Sequence, residues 1–106
     1  MYVISKYFIP IIDEFTLALY RDDKILSIQL NDHKPCMYVL IDKALRNRLR
    51  KINEPFGRTF KVYETGEEIE EKEMYRYGYQ KQEYIGSYSM GEMSFHVFEE
   101  IEGGCL

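Results

Sequence analysis

The stretch KILSIQLNDHKPCMYVLID, residues 24–42, decides the fold. Its first half sets Leu26, Ile28 and Leu30 against Ser27, Gln29 and Asn31, the two-residue period of a half-buried strand. Asn31, Asp32, His33, Lys34 and Pro35 follow, a run of residues that favour turns. The return, residues 36–41, is apolar on both sides, the pattern of a central strand with both faces covered. Strand, turn and strand in direct succession predict an antiparallel sheet.

The segments on either side extend the same reading. Residues 1–9 are rich in β-branched and aromatic side chains and stop at Pro10, as a strand does. Phe15, Leu17 and Leu19 alternate with Thr16, Ala18 and Tyr20, and Arg21, Asp22 and Asp23 form a charged turn. Residues 43–53 change period: Ala44, Leu45, Leu49 and Ile52 recur at helical spacing until Pro55 and Gly57 close the segment. Residues 58–63 return to strand, Thr65-Gly66 turns, and residues 67–73 are acidic, an exposed loop or a single helical turn. Tyr75, Tyr77 and Tyr79 alternate with Arg76, Gly78 and Gln80, as in a strand or an ordered aromatic loop. Residues 83–90 and 93–101 form a second hairpin around Gly91-Glu92, with Gly first as a type II′ turn prefers. About seven short strands with regularly spaced turns predict a mainly β domain, a compact antiparallel sandwich or barrel. One basic, helical insert over residues 43–57 is expected at its edge, and a flexible tail over residues 103–106.

Composition bounds the rest. The chain of 106 residues suits one domain spanning residues 1–106, and a 45% hydrophobic share suits one core. The net charge of −4 argues against an all-over basic coat for duplex DNA. Cys36 and Cys105 have neither a CxxC partner nor a spaced His, so free thiols in a reducing cytoplasm are expected. No apolar stretch approaches the roughly 20 residues of a spanning helix.

Three features invite a functional reading. Lys43, Arg46, Arg48, Arg50, Lys51, Arg58 and Lys61 are seven of the fourteen basic residues, opposed within their span only by Glu54. They read as a solvated helix face or as an anion site, because the guanidinium fork suits phosphate. Tyr75, Tyr77 and Tyr79, part of a tyrosine content of ten, either pack a sheet edge or offer rings to a planar ligand or a protein partner. His96 reads as a half-buried anchor bonded to a backbone carbonyl, or as a ligand donor at a pocket mouth. The acidic residues between Glu64 and Glu73 lack the spacing of a calcium loop and read as solvated, or as a contact for a basic protein. No nucleophile elbow or phosphate loop is present, so no catalytic residue, metal or cofactor is expected.

The order of several short motifs resembles a small uncharacterised phage and prophage protein family. Thr65-Gly66-Glu67-Glu68-Ile69 is similar to its G-T-G-H-x-I turn, Tyr84-Ile85-Gly86-Ser87 to its Y-I-G-T strand start, and Phe95-His96-Val97-Phe98-Glu99 to its terminal W-H-V-F-E. Upstream, Ile25-Leu26-Ser27-Ile28-Gln29 and Met37-Tyr38-Val39-Leu40-Ile41-Asp42 resemble its I-L-S-V-Q and L-W-A-L-V-D strands. Where the family carries Trp this chain has Tyr38 and Phe95, and where it carries the turn His this chain has Glu67. The resemblance implies a phage accessory protein of compact β fold and no established activity. Together these features lead to the expectation of a non-enzymatic, homo-oligomeric antagonist of host defence that sequesters a nucleotide-type signal. A direct inhibitor of a host protein and a single-stranded nucleic-acid binder are the alternatives.

Overall fold

The computed structural model describes residues 1–101; the expected tail and Cys105 lie outside them. Nine strands and two helices follow in the order β1 (Tyr2–Phe8), β2 (Glu14–Leu17), β3 (Lys24–Asn31), β4 (Lys34–Asp42), α1 (Lys43–Lys51), β5 (Arg58–Glu64), α2 (Glu71–Met74), β6 (Tyr75–Arg76), β7 (Tyr79–Gln80), β8 (Gln82–Met90) and β9 (Met93–Glu100). All pairings are antiparallel. A first sheet has the order β1-β4-β3, a second β2-β5-β9-β8, and β6 and β7 form a ribbon of their own. The extra strands relative to the seven expected include the ribbon's two, each only two residues long.

The two large sheets share one core. Met37, Val39 and Ile41 of β4 pack with Phe15, Phe60, Val62, Tyr88 and Val97 from the second sheet, while Ile9 and Leu19 fill the space from the connections. Phe15 and Phe60 stack at 5.2 Å, and Tyr88 and Phe95 at 5.3 Å. Each large apolar side chain removed from water contributes on the order of 1.5–3 kcal/mol. Burial also pushes the Tyr88 phenol above its usual range. The molecule is a slab of 43 × 41 × 17 Å, the thickness of two sheets about 10 Å apart with their pleat. Both outer faces are therefore broad.

The decisive hairpin forms, with two differences. Its turn is only Asp32-His33, both at positive φ (51° and 64°), which is type I′ geometry, and Pro35 is the second residue of β4. Leu26 does not share a face with Ile28: a bulge shifts the register between Ile25 and Ser27, so Ile25 and Ile28 pack on the core and Leu26 stays 44% exposed. A matching bulge on β8, between Tyr84 and Gly86, lies beside it. Gly86 faces the Ile28 side chain, which a Cβ there would meet at 3.4 Å, where β3 and β8 close one side of the sandwich. β4 is central, as expected, but only one face is fully covered; Tyr38 and Leu40 on the other are half-buried.

The helical insert is also present. Asp42 caps α1 by accepting from the Ala44 and Leu45 amides (3.1 and 3.2 Å), and Arg48, Arg50 and Lys51 sit in the last turn, where the helix dipole favours cations. The Gly91-first turn holds, with Gly91 at φ 63°. Replacing Phe60, which is wholly buried, with Ala is expected to lower unfolding free energy by about 3–5 kcal/mol in urea titrations.

Candidate functional site

The basic cluster does not form one patch. Arg46 reaches back to Asp23 (3.1 Å) and to the Ala18 carbonyl, with its guanidinium 5.6 Å from the Tyr20 ring centre. Arg58 lies in a fork with both Glu99 oxygens and also donates to the Tyr20 and Asp23 carbonyls. The bond to Glu99 raises the Arg58 pKa against the opposing effect of burial. Lys61 bonds Glu73 at 2.9 Å and lies 3.6 Å from Glu100. Three of the cations thus have internal carboxylate partners. Arg48, Arg50 and Lys51 stay exposed on α1, with no ion pair among the described residues.

A cleft of about 340 Å³ lies beside Arg58, lined by Leu19, Arg21, Phe56 and Ile101 among others. Glu54, Glu83, Glu99 and Glu100 also line it, against only Arg21 and Arg58. Four carboxylates facing two guanidiniums, one of them already committed to Glu99, oppose a phosphate group there.

The tyrosine run is a projecting arm. Tyr77 (φ 50°) and Gly78 (φ 81°) make a type I′ turn that folds residues 75–80 into the β6–β7 ribbon. Tyr75 pairs with Gln80 and Tyr79 with Arg76, so Tyr75 and Tyr79 fall on opposite faces of the ribbon. A single strand would have aligned them; the turn at the middle tyrosine separates them. Tyr75, Tyr77 and Tyr79 are 51%, 93% and 65% exposed. Tyr77 at the apex therefore packs no sheet edge, while Tyr75 and Tyr79 keep half or more of their surface open.

The arm is fastened to the outer face of the second sheet. The buried Gln82 amide donates to the Tyr63 hydroxyl and the Glu73 carbonyl, both at 2.8 Å, and the Lys81 amide donates to the Met74 carbonyl at 2.7 Å. On that same face Tyr63 and Tyr84 each meet Phe98 edge-on, at 5.7 and 5.4 Å. His96 lies beside Tyr84, half-buried, but its Nε2 bonds the Thr65 hydroxyl at 2.7 Å and not a backbone carbonyl. Glu67 closes the adjoining turn by accepting from the Glu64 amide. Residues from three separated motifs, Thr65 and Glu67, Tyr84, and His96, therefore lie together. The structure brings Lys61, His96 and the base of the tyrosine arm onto one sheet face, and it leaves the arginines elsewhere. Sequence reading missed Gln82, Tyr63 and Phe98; the outward alternation of β9 was the available signal.

A family profile described as "Domain of unknown function (DUF7352)" matches residues 1–104. The chain belongs to this uncharacterised family. Comparisons with curated proteins and with solved structures give no match. Among the described residues, no helix of this family member is long and apolar enough to cross a membrane.

Two outcomes follow from these pairings. Arg58→Ala leaves the half-buried Glu99 without its cation and two carbonyls without a donor, and is expected to destabilise the fold by roughly 2–3 kcal/mol, whereas Arg48→Ala stays within about 0.5 kcal/mol, by urea titration. The second concerns pH. The bond to Lys61 holds the Glu73 carboxyl below its ordinary range, so its share of arm docking is present above that range and lost as pH falls through the lowered value. The same bond raises Lys61, whose share is present below the ordinary lysine range and lost as pH rises through the raised value. The arm is expected to stay docked through neutrality and to loosen in acid, read as faster backbone-amide relaxation of residues 75–80, with Glu73→Gln loosening it at neutrality and removing the pH dependence.

Proposed function

We propose that this domain is a non-enzymatic binding protein that engages a protein partner through the tyrosine arm and the aromatic face at its base. The observation carrying this reading is Tyr77. Its ring is 93% exposed and its backbone sits at φ 50°, a conformation disfavoured for a bulky aromatic residue. Asn-Gly would form the same turn with less strain, so folding alone does not call for Tyr there. Tyr is among the residues enriched at binding hot spots, and backbone strain clusters at functional sites, which supports this reading. The exposed Glu68 and Glu71 nearby in the chain suit a basic partner surface. In the phage setting implied by the motif resemblance, the partner is a host protein of a defence or regulatory system, met in the host cytoplasm.

A second reading is sequestration of a nucleotide-type signal. Exposed Arg48, Arg50 and Lys51, free of ion pairs among the described residues, favour it. The site would form across a homo-oligomer, since the cleft beside Arg58 is acid-rimmed. Calorimetric titration of cyclic di- and trinucleotides separates the two readings: heat lost in an Arg48→Ala/Arg50→Ala variant supports sequestration.

For the leading reading, Tyr77→Asn is the decisive variant. It is expected to raise stability by a few tenths to about 1 kcal/mol, because it relieves the turn. It is also expected to weaken binding to the partner, first identified by affinity capture and then titrated as a pure protein, by tenfold or more. Unchanged affinity would overturn the reading.

A further inference from the structure

The outer face of the first sheet lies away from the arm and differs from it in charge. Along β1, Tyr2, Ile4, Lys6 and Phe8 point outward; they pair in register with Asp42, Leu40, Tyr38 and Cys36 of β4. Tyr2, Ile4 and Phe8 are 65%, 60% and 55% exposed, although they sit on a regular strand. Across β4 the same face continues into Ser27 opposite Tyr38 and Lys24 opposite Leu40.

Apart from Asp42, which caps α1, the charges on this face are of one sign. Lys6 and Lys34 both lie over the Phe8 ring, at 5.1 and 5.8 Å from its centre, and neither has a carboxylate partner among the described residues. Lys24 is likewise unpaired and exposed. The one carboxylate in register with the face, Asp42, is engaged in capping α1. That helix begins where the face ends, its Lys43 amide donating to the Met1 carbonyl at 3.0 Å, and it carries the exposed Arg48, Arg50 and Lys51.

A basic surface on an acidic protein selects a polyanion, and flat exposed rings beside ammonium groups select one whose bases are free to stack. Duplex DNA hides its base faces, and a protein partner would not need three lysines left without a carboxylate partner. We propose that the outer face of β1, β4 and β3 binds single-stranded nucleic acid, with Phe8 and Tyr2 as stacking platforms and Lys6, Lys24 and Lys34 contacting phosphates. This surface is separate from the tyrosine arm and does not depend on the protein-partner reading.

Fluorescence anisotropy with labelled oligothymidylate and oligouridylate, and a duplex of equal length, tests the proposal. Single strands are expected to bind better than the duplex. With about three phosphate contacts, affinity should fall roughly 20-fold between about 50 and 200 mM salt. Phe8→Ala and Lys6→Glu, both at exposed positions and checked for folding by circular dichroism, are expected to weaken binding about tenfold, as loss of one stacked base would. Glu92→Gln, in the β8–β9 turn of the other sheet, should not. No binding of any single strand up to about 100 µM, the weak end of non-specific association, would overturn the proposal. So would equal affinity for duplex, or binding that Phe8→Ala and Lys6→Glu leave intact. Concentration-dependent dimerisation abolished by Ile4→Glu, without nucleic-acid binding, would assign the face to a second copy of the chain instead.

Discussion

The Arg58–Glu99 pair is the constraint on which the arrangement of the rest depends. Arg58 begins β5 and Glu99 lies near the end of β9, side chains 18% and 13% exposed, and the guanidinium also takes the Tyr20 and Asp23 carbonyls. Asp23 in turn accepts from the Tyr20 amide and from Arg46 on α1. One network thus joins the second sheet, the connection between β2 and β3, and the helix after β4. A buried charge is tolerated only with its partner and its hydrogen bonds in place. The network therefore fixes where the helix sits and withdraws two of the basic residues from any ligand.

With those cations committed, the two outer faces take on different characters. The face of the second sheet carries Tyr63, Phe98, Tyr84 and His96 and supports the tyrosine arm through Gln82 and the Lys61–Glu73 pair. The face of the first sheet carries exposed rings among unpaired lysines. A slab only 17 Å thick keeps its core thin and its faces wide, so a short chain can present two chemically distinct surfaces.

Strands and turns were legible because their signals are local. The two-residue period of β3, the apolar run of β4, the helical spacing of α1 and the Gly91 turn each lie within a few residues of one another. The bulge at Leu26 was not legible, because it depends on how β3 meets β8, where Ile28 packs against Gly86. The arm was legible only in part. Alternating tyrosines signalled ordered extended structure, but the apex at Tyr77 breaks the usual preference for Asn or Gly at a positive-φ turn position, so nothing local announced the reversal.

The sequence by itself determined a mainly β domain and pointed to a basic segment of helical spacing after β4, since periodicity, turn chemistry and charge count act over short range. It also marked Lys61, His96 and the tyrosines as candidates, and these do share or adjoin one face. Tertiary structure alone decided which cations are free. Arg58 and Glu99 are 41 positions apart, and Arg46 and Asp23 are 23 apart. A cluster that is uniformly positive along the chain becomes partly neutralised once folding brings distant carboxylates within bonding distance, because Coulomb interaction depends on separation in space and not along the chain.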